Sequence, residues 1–195
     1  AYEPGVIGYV QFFCNKLKEG DKVGIDAKLF SKNMVTNMQK EFNRAGIELV
    51  VDCDLSYIWE DRPSLPYTKL FVLDEKYSGE SAEYKITCLR NKLVKNGMEG
   101  KGFLNAYVTN TLDDIMWLFN VRANDVHCCP FALSYALVTR EEAVFYVSLK
   151  QMTDEVKAYL DKNGVTVKDY DEVYRDVAAL DENSALGCNG ASTNY

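Results

Sequence analysis

The chain has 195 residues, of which 47% are apolar and 26% charged, with a formal net charge of −7. These values suit a globular protein with one large or two small domains, and they exclude wholesale disorder. The acidic balance excludes a nucleic-acid binder, which needs a basic face to displace counterions. No apolar run approaches the roughly 18 residues of a membrane span, so no membrane partner is expected.

From the N-terminus, Pro4, Gly5 and Gly8 interrupt any signal-peptide pattern. Residues 6–18 then predict a helix with Val6, Tyr9, Val10, Phe13 and Leu17 on one side and Gly20 as its stop. A short strand follows at Lys22–Asp26. Ser31 predicts the N-cap of a second helix carrying Met34, Val35, Met38, Phe42 and Ala45, closed by Gly46, and Ile47–Val51 reads as a buried strand. Helix, glycine and strand in succession is the grammar of an α/β layer protein.

Residues 52–76 lack periodicity and contain Pro63 and Pro66, which predicts an irregular connection. A third helix is expected at about 81–96, with Glu80 and Glu83 at its start, Lys92 and Lys95 at its end, and Ala82, Ile86, Leu89 and Leu93 as its apolar stripe. Gly97, Gly100 and Gly102 suggest a domain boundary near 97–102.

Beyond that boundary, Phe103–Val108 predicts a strand, and Thr111 with Asp114 predicts a cap for the helix that follows. Leu133–Thr139 and Ala143–Leu149 predict a hairpin around Arg140-Glu141-Glu142, its second strand apolar on both faces. Phe42–Val50 and Leu160–Lys168 echo each other as helix, glycine and strand. A last helix is expected at roughly 171–180, then a loose polar tail from Asp181.

Chemistry is sparse. The one histidine, His127, is followed by Cys128 and Cys129, and the six cysteines are irregularly spaced. This pattern reads as reduced thiols in a cytosolic protein rather than a disulfide framework or a zinc site. No phosphate-binding glycine loop, nucleophile elbow or His-Glu-x-x-His is present. The sharper feature is the segment Leu112–Asp125, where an apolar helix breaks into a polar hook holding Asn120, Arg122 and Asp125. Spacing favours an Arg122–Asp125 ion pair that fixes the loop; the other reading is a guanidinium offered to a substrate carboxylate or carbonyl. Trp59-Glu60-Asp61-Arg62-Pro63 reads as a structural turn.

The hook also resembles the Leu-Asp-Glu-Ile-Ala-Trp-Leu-Phe-Asn-Leu-Arg-Gly-Ser-Asp hallmark of three-domain Xaa-Pro aminopeptidases. Other motifs resemble that family in the same order: Lys22–Asp26, Ile58–Pro66, Lys76–Ala82, Leu89-Arg90, and Pro130 with Ser134-Tyr135. Ala123-Asn124 stands where the family has Gly-Ser, and Cys129 where it has the Asn of Asn-Pro. The resemblance implies an α/β fold of creatinase N-terminal-like (ribonuclease H-like motif) mixed sheets flanked by helices. It implies that residues 1–98 are the C-terminal part of domain one and residues 99–195 the N-terminal part of domain two.

It further implies a non-catalytic, cytoplasmic piece of an enzyme that hydrolyses the bond between an N-terminal residue and proline. Two divalent metal ions, manganese by expectation, would sit in a catalytic pita-bread domain absent from this chain, and the parent would be a homodimer. No catalytic residue and no metal ligand maps here; Arg122, Asp125 and His127 are the substrate-cleft candidates. The alternatives are a stand-alone non-catalytic module of the same fold that binds peptides or proteins, and an enzyme built on Cys128 or Cys129.

Overall fold

In the computed structural model the described residues are 5–95, 104–182 and 184–195. Their contacts form two units, residues 1–63 with 190–195, and residues 64–189.

The first unit contains α1 (Tyr9–Lys16), β1 (Lys22–Gly24), α2 (Lys32–Arg44) and β2 (Glu48–Val50). The Ser31 hydroxyl caps α2 by accepting from the Met34 N–H at 3.4 Å. Val35, Met38 and Phe42 are buried at helical spacing, whereas Met34, expected on the same stripe, is exposed. Val6 and Tyr9 are exposed too, and α1 packs on the core through Val10, Phe13 and Cys14, joined by Leu17 at its C-cap. β1 and β2 pair in parallel, Val23 opposite Leu49.

The expected loose tail instead ends in this unit. The N–H groups of Lys32 and Asn33, which have no partner within a helix at its first positions, donate to Thr193 O and Gly190 O at 2.9 Å each. Gly190 leaves room for this approach, since a Cβ there would stand 2.5 Å from Asn33 Oδ1.

The second unit runs β3 (Phe71–Val72), α3 (Glu75–Ser78), α4 (Ala82–Lys95), β4 (Leu104–Thr109), α5 (Leu112–Phe119), β5 (Val121–Arg122), β6 (Ser134–Thr139), β7 (Ala143–Val147), α6 (Asp154–Lys162), β8 (Thr166–Lys168), α7 (Glu172–Ala178) and β9 (Ala185–Gly187). Its main sheet is mixed, in the order β8-β7-β6-β4-β9. The predicted hairpin is β6–β7, with Val138 opposite Ala143. Alternation along β7 sends Ala143, Phe145 and Val147 into one core with α5 and α6, and Val144 and Tyr146 into another with Val173 of α7. β7 is therefore apolar on both faces, as its sequence predicts, because helices cover both sides.

The sequence echo is real at the level of local geometry. α2 and α6 each end at a glycine of positive φ, 70° at Gly46 and 69° at Gly164. The N–H groups of Ile47 and Val165 then reach back to Phe42 O and Leu160 O, at 2.9 and 3.0 Å. This is a Schellman ending, and each is followed by a strand that pairs in parallel.

Some details differ from expectation. The expected boundary near 97–102 lies outside the described residues; the contacts divide the chain between Pro63 and Ser64. The physical reason is that α4 packs on β4, α5 and β6, which fixes it in the second unit. The Thr111 side chain makes no cap bond to α5. The irregular connection contains β3, whose two residues pair with β5, and the polar tail contains β9.

Tyr146 illustrates a polar group held in the second core. It is fully buried, and its hydroxyl donates to Asp176 Oδ2 at 3.0 Å, an oxygen that Lys168 Nζ also approaches at 2.5 Å. Burial first, and then the Asp176 carboxylate, push the tyrosine pKa well above its ordinary 10. A raised folded-state pKa means that this stability is complete below pH 10 and is lost as the pH rises beyond it. Tyr146→Phe is expected to flatten the alkaline loss of stability above pH 10, read by urea unfolding; an unchanged alkaline slope would rule Tyr146 out as its source.

Candidate functional site

α5 carries apolar residues on most of its surface, and Ile115, Met116, Leu118 and Phe119 are buried. Asp113 and Asp114 stand in its first turn, where they suit the helix dipole. The helix ends at Asn120 in a left-handed conformation, φ 52° and ψ 34°, which asparagine tolerates better than most residues. The Asn120 side chain is fully buried and fully used. Its Nδ2 donates to Glu80 O at 2.8 Å and to the Tyr159 hydroxyl at 3.1 Å, and its Oδ1 accepts from Lys85 Nζ at 2.6 Å.

Two cations meet the C-terminal end of this helix. Lys85, only 3% exposed, donates to Trp117 O at 2.9 Å and lies 4.7 Å from the Trp117 ring centre. Arg122 Nη1 donates to Met116 O at 2.5 Å and to Val121 O at 2.9 Å. Free carbonyls at a helix C-terminus carry partial negative charge, so both placements are favourable. Burial, and next the neighbouring Arg122, lower the Lys85 pKa from 10.5. Burial lowers that of Arg122 as well.

Asp125 is a brace. Its Oδ1 accepts from the Thr68 N–H at 2.7 Å and the Thr68 hydroxyl at 3.0 Å, and its Oδ2 from the Leu133 N–H at 3.0 Å. Gln151 Nε2, itself 1% exposed, reaches both oxygens at 3.1 and 2.9 Å. One carboxylate thus ties together the segment before β3, the loop before β6 and the turn before α6.

His127 lies elsewhere. It is exposed at the tip of a tight turn that the Cys129 N–H closes on Val126 O at 3.0 Å, with exposed Cys128 at a positive φ of 62°. The six cysteines are all free.

The three predicted residues are therefore neighbours in sequence but not a constellation. Among the described residues no ion pair joins Arg122 to Asp125. The carboxylate is instead satisfied from within by amide and hydroxyl donors. Sequence reasoning missed Lys85, Thr68 and Gln151. Lys85 alone gave a signal: it stands three residues after Ala82 and four before Leu89, inside the apolar stripe of α4. A cavity of 190 Å³ lies beside Lys85, Cys88, Tyr107 and Trp117, but its buried lysine is already satisfied. Nor do the described residues fit a metal centre, since no group of three or more His, Cys, Asp or Glu is placed to hold an ion.

The sequence pattern of the Creatinase/Prolidase N-terminal domain matches residues 61–195. The chain belongs to that family. The start of this creatinase N-terminal match falls within three residues of the division between the two units. Probable Xaa-Pro aminopeptidase P of Sordaria macrospora is 37% identical over 165 residues, covering 83% of this chain and 26% of that protein. The Neurospora crassa protein of the same name is 36% identical, covering 83% and 23%. The X-prolyl aminopeptidase of Caenorhabditis elegans, described as a cytosolic enzyme with a di-nuclear active site, superposes with a TM-score of 0.81 at 28% identity. That superposition covers 91% of this chain and 28% of that one. The chain spans about a quarter of the length of these relatives. The mixed sheet with helices on both faces is the creatinase N-terminal-like α/β fold expected from sequence.

Proposed function

We propose that this chain is a non-catalytic N-terminal and middle region of a metal-dependent Xaa-Pro aminopeptidase. The observation that carries this reading is likeness to Xaa-Pro aminopeptidase P across 83% of the chain. In the proposed parent enzyme a catalytic pita-bread domain holds two divalent ions, taken to be manganese, and hydrolyses the bond between an N-terminal residue and proline. The described residues here include no cluster that fits those ions, so no chemical step is assigned to them. Their role is to shape the mouth of the substrate cleft and to support subunit packing in a cytoplasmic homodimer. No described helix is long and apolar enough to cross a membrane.

Of the three cleft candidates, Arg122 best suits contact with substrate. Asp125 serves by fixing the loop that follows Arg122, and His127 is exposed at the rim of the same loop.

The test has two arms. The purified 195-residue chain is expected to release no N-terminal residue from Xaa-Pro peptides, with or without manganese. The transcript that encodes it is expected to continue into a domain with two Asp, one His and two Glu as metal ligands, and its product to cleave such peptides. Turnover by the chain alone, or a continuing frame without those ligands, would sink the reading in favour of a separate enzyme or a binding module.

A further inference from the structure

Arg122 is held in an unusual state of partial use. A guanidinium has five N–H donors, and the two on Nη1 are taken by Met116 O and Val121 O. Among the described residues the hydrogen bonds of the Arg122 side chain leave from Nη1, not from Nε or Nη2, and neither Arg122 nor Lys85 takes part in an ion pair. The free Nε–Nη2 edge is one of the forks that match both oxygens of a carboxylate. Two main-chain carbonyls already hold the planar group in place, so little side-chain freedom remains to be lost on binding.

Its cross-strand neighbour is apolar and exposed. β3 and β5 are antiparallel, with Phe71 directly opposite Arg122 and Val72 opposite Val121. Opposed residues share a face. Val121 is fully buried, so the face carrying Phe71 and Arg122 is the outer one. Phe71 is 45% exposed, and Trp117, next in sequence to the residue whose carbonyl Arg122 holds, is 54% exposed. Lys85 lies against the Trp117 ring, with Glu75 and Glu80 as the nearby carboxylates.

We infer that Phe71, Trp117 and Arg122 form a binding surface for a peptide carboxylate flanked by a large apolar side chain. The carboxylate takes the free edge of Arg122, and the apolar side chain lies against the two aromatic rings. This deepens the cleft-wall reading and rests on it only in naming the bound peptide a substrate. Binding is measured on this chain without peptidase activity, so the two can fail separately.

Trp59 and Trp117 are the two tryptophans, so Trp59→Phe makes fluorescence report on Trp117 alone. Acetyl-Leu-Leu with a free C-terminal carboxylate is titrated against its C-terminal amide and against an amidated peptide carrying one internal Glu. The free acid is expected to bind about tenfold or more tighter than the neutral amide, as a charge-assisted pair implies. If the Glu peptide gains as much as the free acid, the source is any carboxylate; if not, it is the chain terminus. Arg122→Gln is expected to abolish the difference between acid and amide, Arg122→Lys to keep part of it, and Phe71→Ala to weaken both. Equal affinity for acid and amide, a preference that survives in a folded Arg122→Gln variant, or no binding of the acid at millimolar concentration would overturn the inference.

Discussion

Asp125→Ala is expected to destabilise the second unit by roughly 3–5 kcal/mol, because it leaves several part-buried and buried donors without their acceptor. The substitution removes the acceptor for the Thr68 and Leu133 N–H groups and for Gln151 Nε2. All of these lie in part-buried or buried surroundings, and each donor left unpaired costs about 1–3 kcal/mol before water enters. Asp125→Asn keeps one acceptor oxygen but turns an amide against a donor, so it is expected to lose a smaller share. Urea unfolding followed by circular dichroism measures both. An alanine variant within about 1 kcal/mol of the parent would show that the loop does not depend on this brace.

Lys85→Met is the second large effect, expected at about 2–4 kcal/mol, because it strips the donor from Trp117 O and Asn120 Oδ1 beneath the protein surface. Its signature is a dependence on pH. Burial lowers the folded-state pKa of Lys85 below 10.5, so the native chain releases this proton before the unfolded chain does. Between the lowered value and 10.5 the unfolded state binds more protons, and stability rises with pH across that window. The parent is expected to gain stability there relative to Lys85→Met. The alkaline loss at Tyr146 is common to both proteins and cancels. Parallel curves for the two proteins across that window would remove Lys85 as a buried cation.

Local periodicity made much of this fold legible. The apolar stripes of α2 and α4, the two-sided strand β7 and the glycine endings at Gly46 and Gly164 follow from rules that act within a few residues. They hold because a helix or strand presents its faces at a fixed repeat, whatever lies opposite. Ordered motifs from Lys22 to Tyr135 pointed to the family that residues 61–195 match.

The candidate site was legible only as a location. Sequence placed a polar hook after α5 but paired Arg122 with Asp125, since they are three residues apart and oppositely charged. The carboxylate instead meets Thr68 and Gln151, which are 57 and 26 residues away. Nothing in local spacing encodes such partners.

The sequence by itself determined the longer helices and strands, most of their apolar faces and which family the chain resembles. Tertiary structure alone decided the division at Pro63, the two-residue pairing of Phe71 with Arg122, and the return of residues 190–195 to α2. It also decided that Arg122, rather than Asp125, retains unused bonding capacity. The physical reason is that burial and hydrogen-bond satisfaction depend on which distant backbone groups arrive beside a side chain, whereas periodicity fixes only the direction in which that side chain leaves its own element.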